Sequence, residues 1–395
     1  MKKKMLALLL AVSMVMALSA CGSGGDEAKE TQKKETQKET EAAPAETKAE
    51  GTQAATEGGE ASSMDELIAA AQEEGELVVY GSCEDAYISA ACQAFEAKYG
   101  IKTSWQRLTG GEVQAKLEEE NGNPSADVWF GGTSDPQSVC ASEGLLMAYD
   151  AQNKSHLISA DCSDPDGYWY GIYRGILGIF YNKEELDRLE IEYPTDWDDL
   201  LDPKYEGLIW FSNPNTASTA KLAINTFVQQ RGHDGAMDYF VALDKNVAQY
   251  TKSGGGPSKS VGSGECVIGI GFLHDAVYQI TQGYDNIGMC IPASGTTCET
   301  GATSIFAGCK HPNAAKLWIE FCLTPECVEL ADDTGSFQFL VLDNAEQPAV
   351  LADFDLDPNN TLEYDFADAK ENTQKYVEDL FEALGSAADS RFKTE

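Results

Sequence analysis

The run V-I-G-I-G-F-L from Val267 to Leu273 ends abruptly in His274 and Asp275. Apolar, β-branched residues thinned by Gly269 and Gly271 read as a buried strand whose glycines let a neighbouring backbone or ligand come close. Open α/β sheets bind ligands at the carboxyl ends of their strands, so an imidazole and a carboxylate placed there are a candidate site.

Other strand ends carry small or hydroxyl residues. Gly81-Ser82, Thr109-Gly110-Gly111 and Gly131-Gly132-Thr133-Ser134 each follow a strand-like run and precede a helical one. Small residues permit close approach, and the helix N-termini behind them offer free N–H groups and a favourable dipole to an anion. The same order recurs at Ser212-Asn213-Pro214-Asn215-Thr216-Ala217-Ser218-Thr219-Ala220, an anion cradle without the G-K-S/T of a P-loop. Taken singly, each of these is also explained by an N-cap and a tight turn. Gly254, Gly255 and Gly256 can adopt positive φ and present several N–H groups to one anion, with Lys259 a point charge beside them or a solvated loop lysine. The candidate ligand contacts are thus Ser82, Gly110, Gly111, Gly132, Thr133, Asn213, Ser218, Thr219, Gly254, Lys259, His274 and Asp275. Arg174 is either a buried cleft cation or a hinge ion-pair residue. No G-x-S-x-G or H-E-x-x-H occurs, so no catalytic residue is assigned and a surface hydrolase is disfavoured. No cofactor or metal site is assigned, and the cysteine spacing does not suit zinc.

These positions need a scaffold. An amphipathic helix is expected over Met64–Glu74, capped by Ser63 and closed by Gly75, followed by a strand at Leu77–Tyr80 and a helix over Asp85–Tyr99 closed by Gly100. Strands at Ile101–Trp105 and Asp127–Phe130 flank a helix opening at Gly110-Gly111. Strands alternating with helices imply right-handed βαβ units in a mainly parallel sheet, an α/β fold. Trp169 to Asn182 reads as a long extended crossover. Further strands are expected at Leu208–Phe211, Val267–Phe272 and Ile287–Ile291, and Ala302–Ala307 should return the chain to the first lobe. His311 reads as a helix-cap residue, and His156 and His233 as polar-loop residues.

The chain begins with Lys2-Lys3-Lys4, an apolar run and Leu18-Ser19-Ala20-Cys21. That is a secretory leader, too short to span a membrane, and its last four residues resemble a lipoprotein lipobox in which Cys21 carries the lipid. Residues 22–63 hold no aromatic residue and no aliphatic one larger than Ala, so they are expected to be a disordered tether. The net charge is −37, and −35 without the leader's three lysines and the tether's five lysines and ten acids. Such acidity excludes nucleic acid and anionic membrane surfaces as partners. It also opposes an anionic ligand, although helix N-termini and neutral donors can hold an oxyanion locally. Of the eleven cysteines, Cys290 with Cys298 and Cys322 with Cys327 could form local disulfides. Cys83, Cys92, Cys266 and Cys309 read as small core residues.

Residues 76–343 resemble the bacterial extracellular solute-binding proteins of ABC importers, in the branch containing ferric-iron, phosphonate and hexose-phosphate binders. The resemblance rests on several stretches in order: L-V-V-Y-G-S, G-N-P-S-A-D-V-W-F-G-G, W-Y-G-I-Y-R-G-I-L-G-I-F-Y-N, S-N-P-N-T-A-S-T-A, G-E-C-V-I-G-I-G-F-L-H-D, C-E-T-G-A and H-P-N-A-A-K-L-W-I-E-F. It implies a two-lobe periplasmic-binding-protein-like (type II) fold with hinge crossovers and a central ligand cleft. Residues 64–168 plus 300–350 would form one lobe, and 169–299 plus a C-terminal helix in 351–395 the other. It further implies a monomer that passes a small solute to a permease and its ATPase, outside the cytoplasm and tied to the membrane through Cys21. Ferric-iron members carry adjacent tyrosines after the strand matching Val267–Phe272; here His274-Asp275-Ala276 stands instead. That resembles the branch taking phosphorylated sugars, which implies His274 and Asp275 on vicinal hydroxyls, Glu299 as a further acceptor, and the phosphate on Ser82, Gly132, Thr133, Ser218, Thr219 and Gly254. Iron or another cation, a phosphonate, a thiamine-like solute or a polyamine is the alternative.

Overall fold

The first helix forms over Met64–Glu74 because Ser63 Oγ accepts the free N–H of Glu66 and Gly75 takes the left-handed φ of 71° that ends it. Its apolar face, Leu67 and Ala71, is buried. The computed structural model describes residues 63–385 and 391–392; the leader, Cys21 and tether residues 22–62 lie outside the described residues. The described part belongs to one compact unit.

Eleven strands order the described residues: β1 Glu76–Gly81, β2 Lys102–Arg107, β3 Val128–Thr133, β4 Leu146–Met147, β5 Trp169–Asn182, β6 Ile209–Ser212, β7 Val247–Thr251, β8 Ile268–Phe272, β9 Ile287–Cys290, β10 Cys298–Phe306 and β11 Phe339–Leu340. In the first lobe β2, β1 and β3 run parallel, and β10 lies antiparallel between β3 and the first half of β5. In the second, the other half of β5 pairs antiparallel with β8 and β9, while β8, β6 and β7 run parallel. The fourteen residues of β5 therefore belong to both sheets. Next to it, Leu177 N–H donates to Thr297 O and Thr296 Oγ1 to Leu177 O, so the second link between the lobes runs alongside the first.

Each lobe has its own apolar core. Tyr87, Phe95, Phe130, Trp318 and Phe321 centre the first; Trp197, Phe211, Phe227, Tyr239 and Phe240 centre the second. The helix Phe366–Leu384 adds Val377 and Leu380 to the second core. Its lead-in also reaches the first lobe, where Tyr364 Oη donates to Asp135.

Several local expectations change. The ten cysteines among the described residues are free thiols, so neither Cys290–Cys298 nor Cys322–Cys327 is bridged. Cys290 is only part-buried near the rim of β9, whereas Cys298 is buried in β10. His233 opens the helix His233–Asp244 rather than lying in a loop, and its Nε2 contacts Asp379 of the terminal helix at 2.9 Å. His311 is the N-cap residue of the helix Pro312–Cys322 as expected, but its side chain bonds elsewhere, Nδ1 to Asp127 Oδ2 at 2.9 Å. The glycines at 254–256 do not form a positive-φ nest. They are there for space: a Cβ at 254 would fall 2.0 Å from Thr219 Oγ1, and one at 256 would fall 2.6 Å from Thr251.

Candidate functional site

Parallel pairing of β1 with β2 and β3 puts the ends Gly81-Ser82, Arg107–Gly110 and Gly132-Thr133 on one sheet edge. Across from it lie the ends of β6 and β8 and the loop after β7. Between the two lobes is a cavity of about 280 Å³. Of the residues singled out from the sequence, Ser82, Gly110, Gly132, Ser218, Thr219, Gly254, Lys259, His274, Asp275 and Glu299 line it.

Gly111, Thr133, Arg174 and Asn213 do not. Gly111 faces the backbone carbonyls of Asn215 and Thr216, at 3.1 and 3.2 Å from an added Cβ, and so serves lobe contact. Thr133 is buried with its hydroxyl unpaired, at the start of the helix Ser134–Ser142. Asn213 is a turn residue: Oδ1 accepts from Asn215 N–H at 2.9 Å and Nδ2 donates to Phe392 O. Arg174 lies on β5 between two residues that face the cavity side, Tyr173 and Gly175. Alternation along the strand turns it away, towards the thiols of Cys162 and Cys298.

Two kinds of polar group line the cavity. Four helices present N-termini without a side-chain cap: Asp85–Tyr99, Ser218–Arg231, Gly256–Val261 and Leu273–Thr281. The residues at these ends, Ala86, Ser218, Thr219, Ser258 and Gly255 among them, line the cavity. Uncapped N–H groups with aligned dipoles favour an oxyanion. By contrast Thr109 and Glu112 close a capping box on the helix Gly110–Glu120.

The second kind is His274 and Asp275, in the first turn of the helix Leu273–Thr281, with Glu299 of β10; Asp275 Oδ2 lies 3.4 Å from where a Cβ on Gly255 would fall. Glu299 on β10 pairs with Gly175 on β5, and His274 arrives from the second lobe over the same glycine. The imidazole stacks on Phe272 with centroids 5.4 Å apart, and its Nε2 lies 3.9 Å from Asp275 Oδ1. Nδ1 of His274 is buried without a protein partner. Burial pushes the His274 imidazole down to about 4, aided by nothing but opposed by nearby Glu84. Burial, with Glu84 adding repulsion, pushes Asp275 up to about 8 against the pull of Lys259 and Arg107. Burial likewise raises Glu299 well above the carboxylate range, with Asp275, Glu84 and Asp135 adding to it. Near neutral pH burial thus favours the neutral imidazole and the protonated acids in the cleft, groups that both donate to and accept from hydroxyls.

Residues not anticipated from the sequence complete the wall. Tyr173 Oη accepts from Gly132 N–H at 2.8 Å and fixes the end of β3. Glu84 accepts from Ser336 Oγ at 2.7 Å and Gln338 Nε2 at 3.2 Å. Arg107 lines the cavity from the end of β2, two residues before Thr109 of the T-G-G turn, where the strand-end rule applied to side chains as well as glycines would have found it.

Residues 123–369 match the bacterial extracellular solute-binding protein family. A Haemophilus influenzae protein is 39% identical over 302 residues, 75% of this chain and 86% of its own length. The periplasmic binding protein AfuA from Actinobacillus pleuropneumoniae, solved with exogenous fructose 6-phosphate bound, superposes with a TM-score of 0.74 at 38% identity, covering 78% of this chain and 98% of that one. A putative 2-aminoethylphosphonate-binding periplasmic protein of Salmonella typhimurium is 24% identical over 200 residues, half of this chain and 56% of its own length. The ferric binding protein from Campylobacter jejuni, at 19% identity, TM-score 0.68, 78% of this chain and 99% of that one, shares the fold alone. The chain belongs to the bacterial extracellular solute-binding proteins, the receptors of ABC importers, and has their two-lobe periplasmic-binding fold.

Proposed function

We propose that this receptor captures a small phosphorylated polyol or sugar and hands it to an ABC permease. The observation that carries the reading is the make-up of the cavity: uncapped helix N-termini with Ser218, Thr219 and Ser258, together with His274, Asp275 and Glu299. The first set suits a phosphate; the second suits vicinal hydroxyls. Protonation of Asp275 and Glu299 lessens the repulsion that so acidic a chain directs at an anion, although Glu84 and Asp85 also line the cavity. AfuA supports the reading, as a relative of similar fold with a sugar phosphate in place. In this reading Ser82, Gly110, Gly132 and Gly254 bring backbone close to the solute, and Lys259 adds charge from the second lobe. Residues 64–168 with 300–350 move against 169–299 with the terminal helix, hinged at β5 and the strand beside it. The receptor works as a monomer outside the cytoplasm, held to the membrane by a lipid on Cys21.

The test is thermal stability with hexose phosphates, free hexoses, aminoalkylphosphonates, inorganic phosphate and ferric citrate. A ligand at a hundred times its Kd stabilises by about 2.7 kcal/mol, a readily measured rise in melting temperature. Sugar phosphates should raise it, and His274→Ala or Asp275→Ala should abolish the rise. A response to ferric citrate alone, untouched by either change, would overturn the reading.

A further inference from the structure

Two cations line the cavity, one from each lobe: Arg107 at the end of β2, and Lys259 in the helix Gly256–Val261. Arg107 is held from its own lobe. Its Nε donates to Cys83 O at 3.0 Å and lies 3.5 Å from Asp85 Oδ1. Cys83 lies in the turn after β1 and Asp85 opens the helix that follows it; β1 pairs with β2 through Gly81 and Arg107, so both anchors travel with Arg107 whatever the second lobe does. The outer end of the guanidinium does something else: Nη2 reaches across the cleft to Ser253 Oγ at 3.4 Å. Ser253 leads directly into Gly254, Gly255 and the uncapped start of the helix at Gly256. Arg107 therefore has its inner edge fixed to one lobe and its outer edge against Ser253 of the other. Around it, small residues let the lobes meet: Gly110 against Ser218 Oγ at 3.1 Å from an added Cβ, and Gly111 against Asn215 O at 3.1 Å.

We propose that Arg107 couples solute capture to lobe closure: it takes the solute's oxyanion while the lobes are apart, and the captured oxyanion then draws in Ser253 and the Gly254-Gly255 turn behind it. This rests on the phosphorylated-solute reading above. The physical requirement is a group that binds the solute in both states but gains partners in the closed one, because a ligand shifts an equilibrium only by its differential affinity. A guanidinium meets it. Its Nε edge can stay on Cys83 O while the Nη edge serves the anion, a division that the single ammonium of lysine cannot reproduce. Arg107 is a binding and positioning residue here, with no bond made or broken.

The experiment measures fructose 6-phosphate binding by calorimetric titration and lobe closure by small-angle X-ray scattering, on the native chain, Arg107→Gln, Arg107→Lys and Ser253→Ala. Loss of a charge-assisted hydrogen bond predicts a Kd about 10- to 100-fold weaker in Arg107→Gln, and a radius of gyration at saturating ligand that stays near the unliganded value. Arg107→Lys should bind more tightly than Arg107→Gln yet close less than the native chain. Ser253→Ala, which keeps the capture step, should weaken binding less than Arg107→Gln does. Unliganded melting temperatures of the variants separate misfolding from lost coupling; if Arg107→Gln is unfolded, the lysine and Ser253 variants decide. A native chain that binds while Arg107→Gln binds and closes equally well would overturn the assignment of Arg107 alone. A native chain that binds no phosphorylated solute would overturn this assignment together with the proposed function.

Discussion

Gly175 lies so close beneath His274 that a Cβ on residue 175 would fall 2.6 Å from the imidazole Cε1, and the same atom would fall 2.8 Å from Glu299 Oε1. The glycine in the shared strand is what allows two polar side chains from different elements to converge on one point of the cleft. Gly175→Ala should displace one of them. Overpacking of this kind costs about 1–3 kcal/mol of stability. Solute affinity should drop further than stability does, because His274 and Glu299 lose their common position. Chemical denaturation and calorimetric titration of the same variant separate the two effects, and unchanged affinity would show that the convergence is not used in binding.

The cleft groups also predict how the unliganded protein responds to pH. Asp275, pushed up to about 8, and Glu299, raised well above its usual range, keep protons in the folded state that the unfolded chain releases near pH 4. The unfolded state then binds fewer protons, so these two acids make stability fall as pH rises from about 4 towards 8. His274, lowered to about 4, acts oppositely between about 4 and 6.5, where the unfolded imidazole takes a proton and the folded one does not. Below pH 6.5 the contributions offset each other; above it the acids act without that opposition. The melting temperature should therefore decline between pH 6.5 and 8, and Asp275→Asn should flatten the decline. A native curve that rises over that window would contradict the burial of these acids.

How much of this was legible beforehand follows from what sets each feature. The first helix, with Ser63 before it and Gly75 after it, and the crossover Trp169–Asn182 are fixed by neighbours in sequence, and both form over the expected residues. His274 and Asp275 were visible because a strand end is a local pattern with a known place in the sheet. Arg174 misled because composition marks it as the cation of a hydrophobic run, whereas the two-residue period of β5 gives the cleft to Tyr173 and Gly175. Glu84, Ser253 and Gln338 carry no local signal; they reach the cavity only through lobe and loop juxtaposition. The 254–256 glycines were recognised as special for the wrong reason, since backbone freedom and absence of a Cβ look alike in sequence.

The thiols should be unreactive in the native state. Burial pushes Cys92, Cys140, Cys298 and Cys309 up to about 12 and part-buried Cys290 up to about 11. The thiolate is the nucleophile, so at pH 8 almost none of it is present at these sites. Iodoacetamide should label the folded protein slowly and label it rapidly once denaturant is added, with mass spectrometry locating the adducts. Fast native labelling at Cys298 or Cys140 would mean that these side chains are not enclosed as described.

Asp135, buried at the start of the helix Ser134–Ser142, accepts from Tyr364 Oη and, at 3.4 Å, from Asn225 Nδ2, while Asn225 also donates to Tyr364 Oη at 2.9 Å and Thr373 Oγ1 at 2.8 Å. One carboxylate thus joins the first lobe, the helix Ser218–Arg231 of the second, and the C-terminal segment. Burial raises Asp135 to about 6, while its hydrogen bonds to Tyr364 and Asn225 and the charge of Lys221 hold it down. Tyr364→Phe removes the nearer donor. Leaving a buried acceptor short of a partner costs about 1–3 kcal/mol, and the carboxyl then titrates higher still. Since its folded pKa already exceeds the unfolded one, its contribution to stability falls as pH rises through 4 to 6, and in the variant that fall extends upward. The stability lost on Tyr364→Phe should therefore be larger at pH 7.5 than at pH 5, and Asp135→Asn should remove that difference. Denaturant titrations of the two single variants and the double variant at both pH values measure it, and equal losses at the two values would show that the carboxylate does not depend on Tyr364.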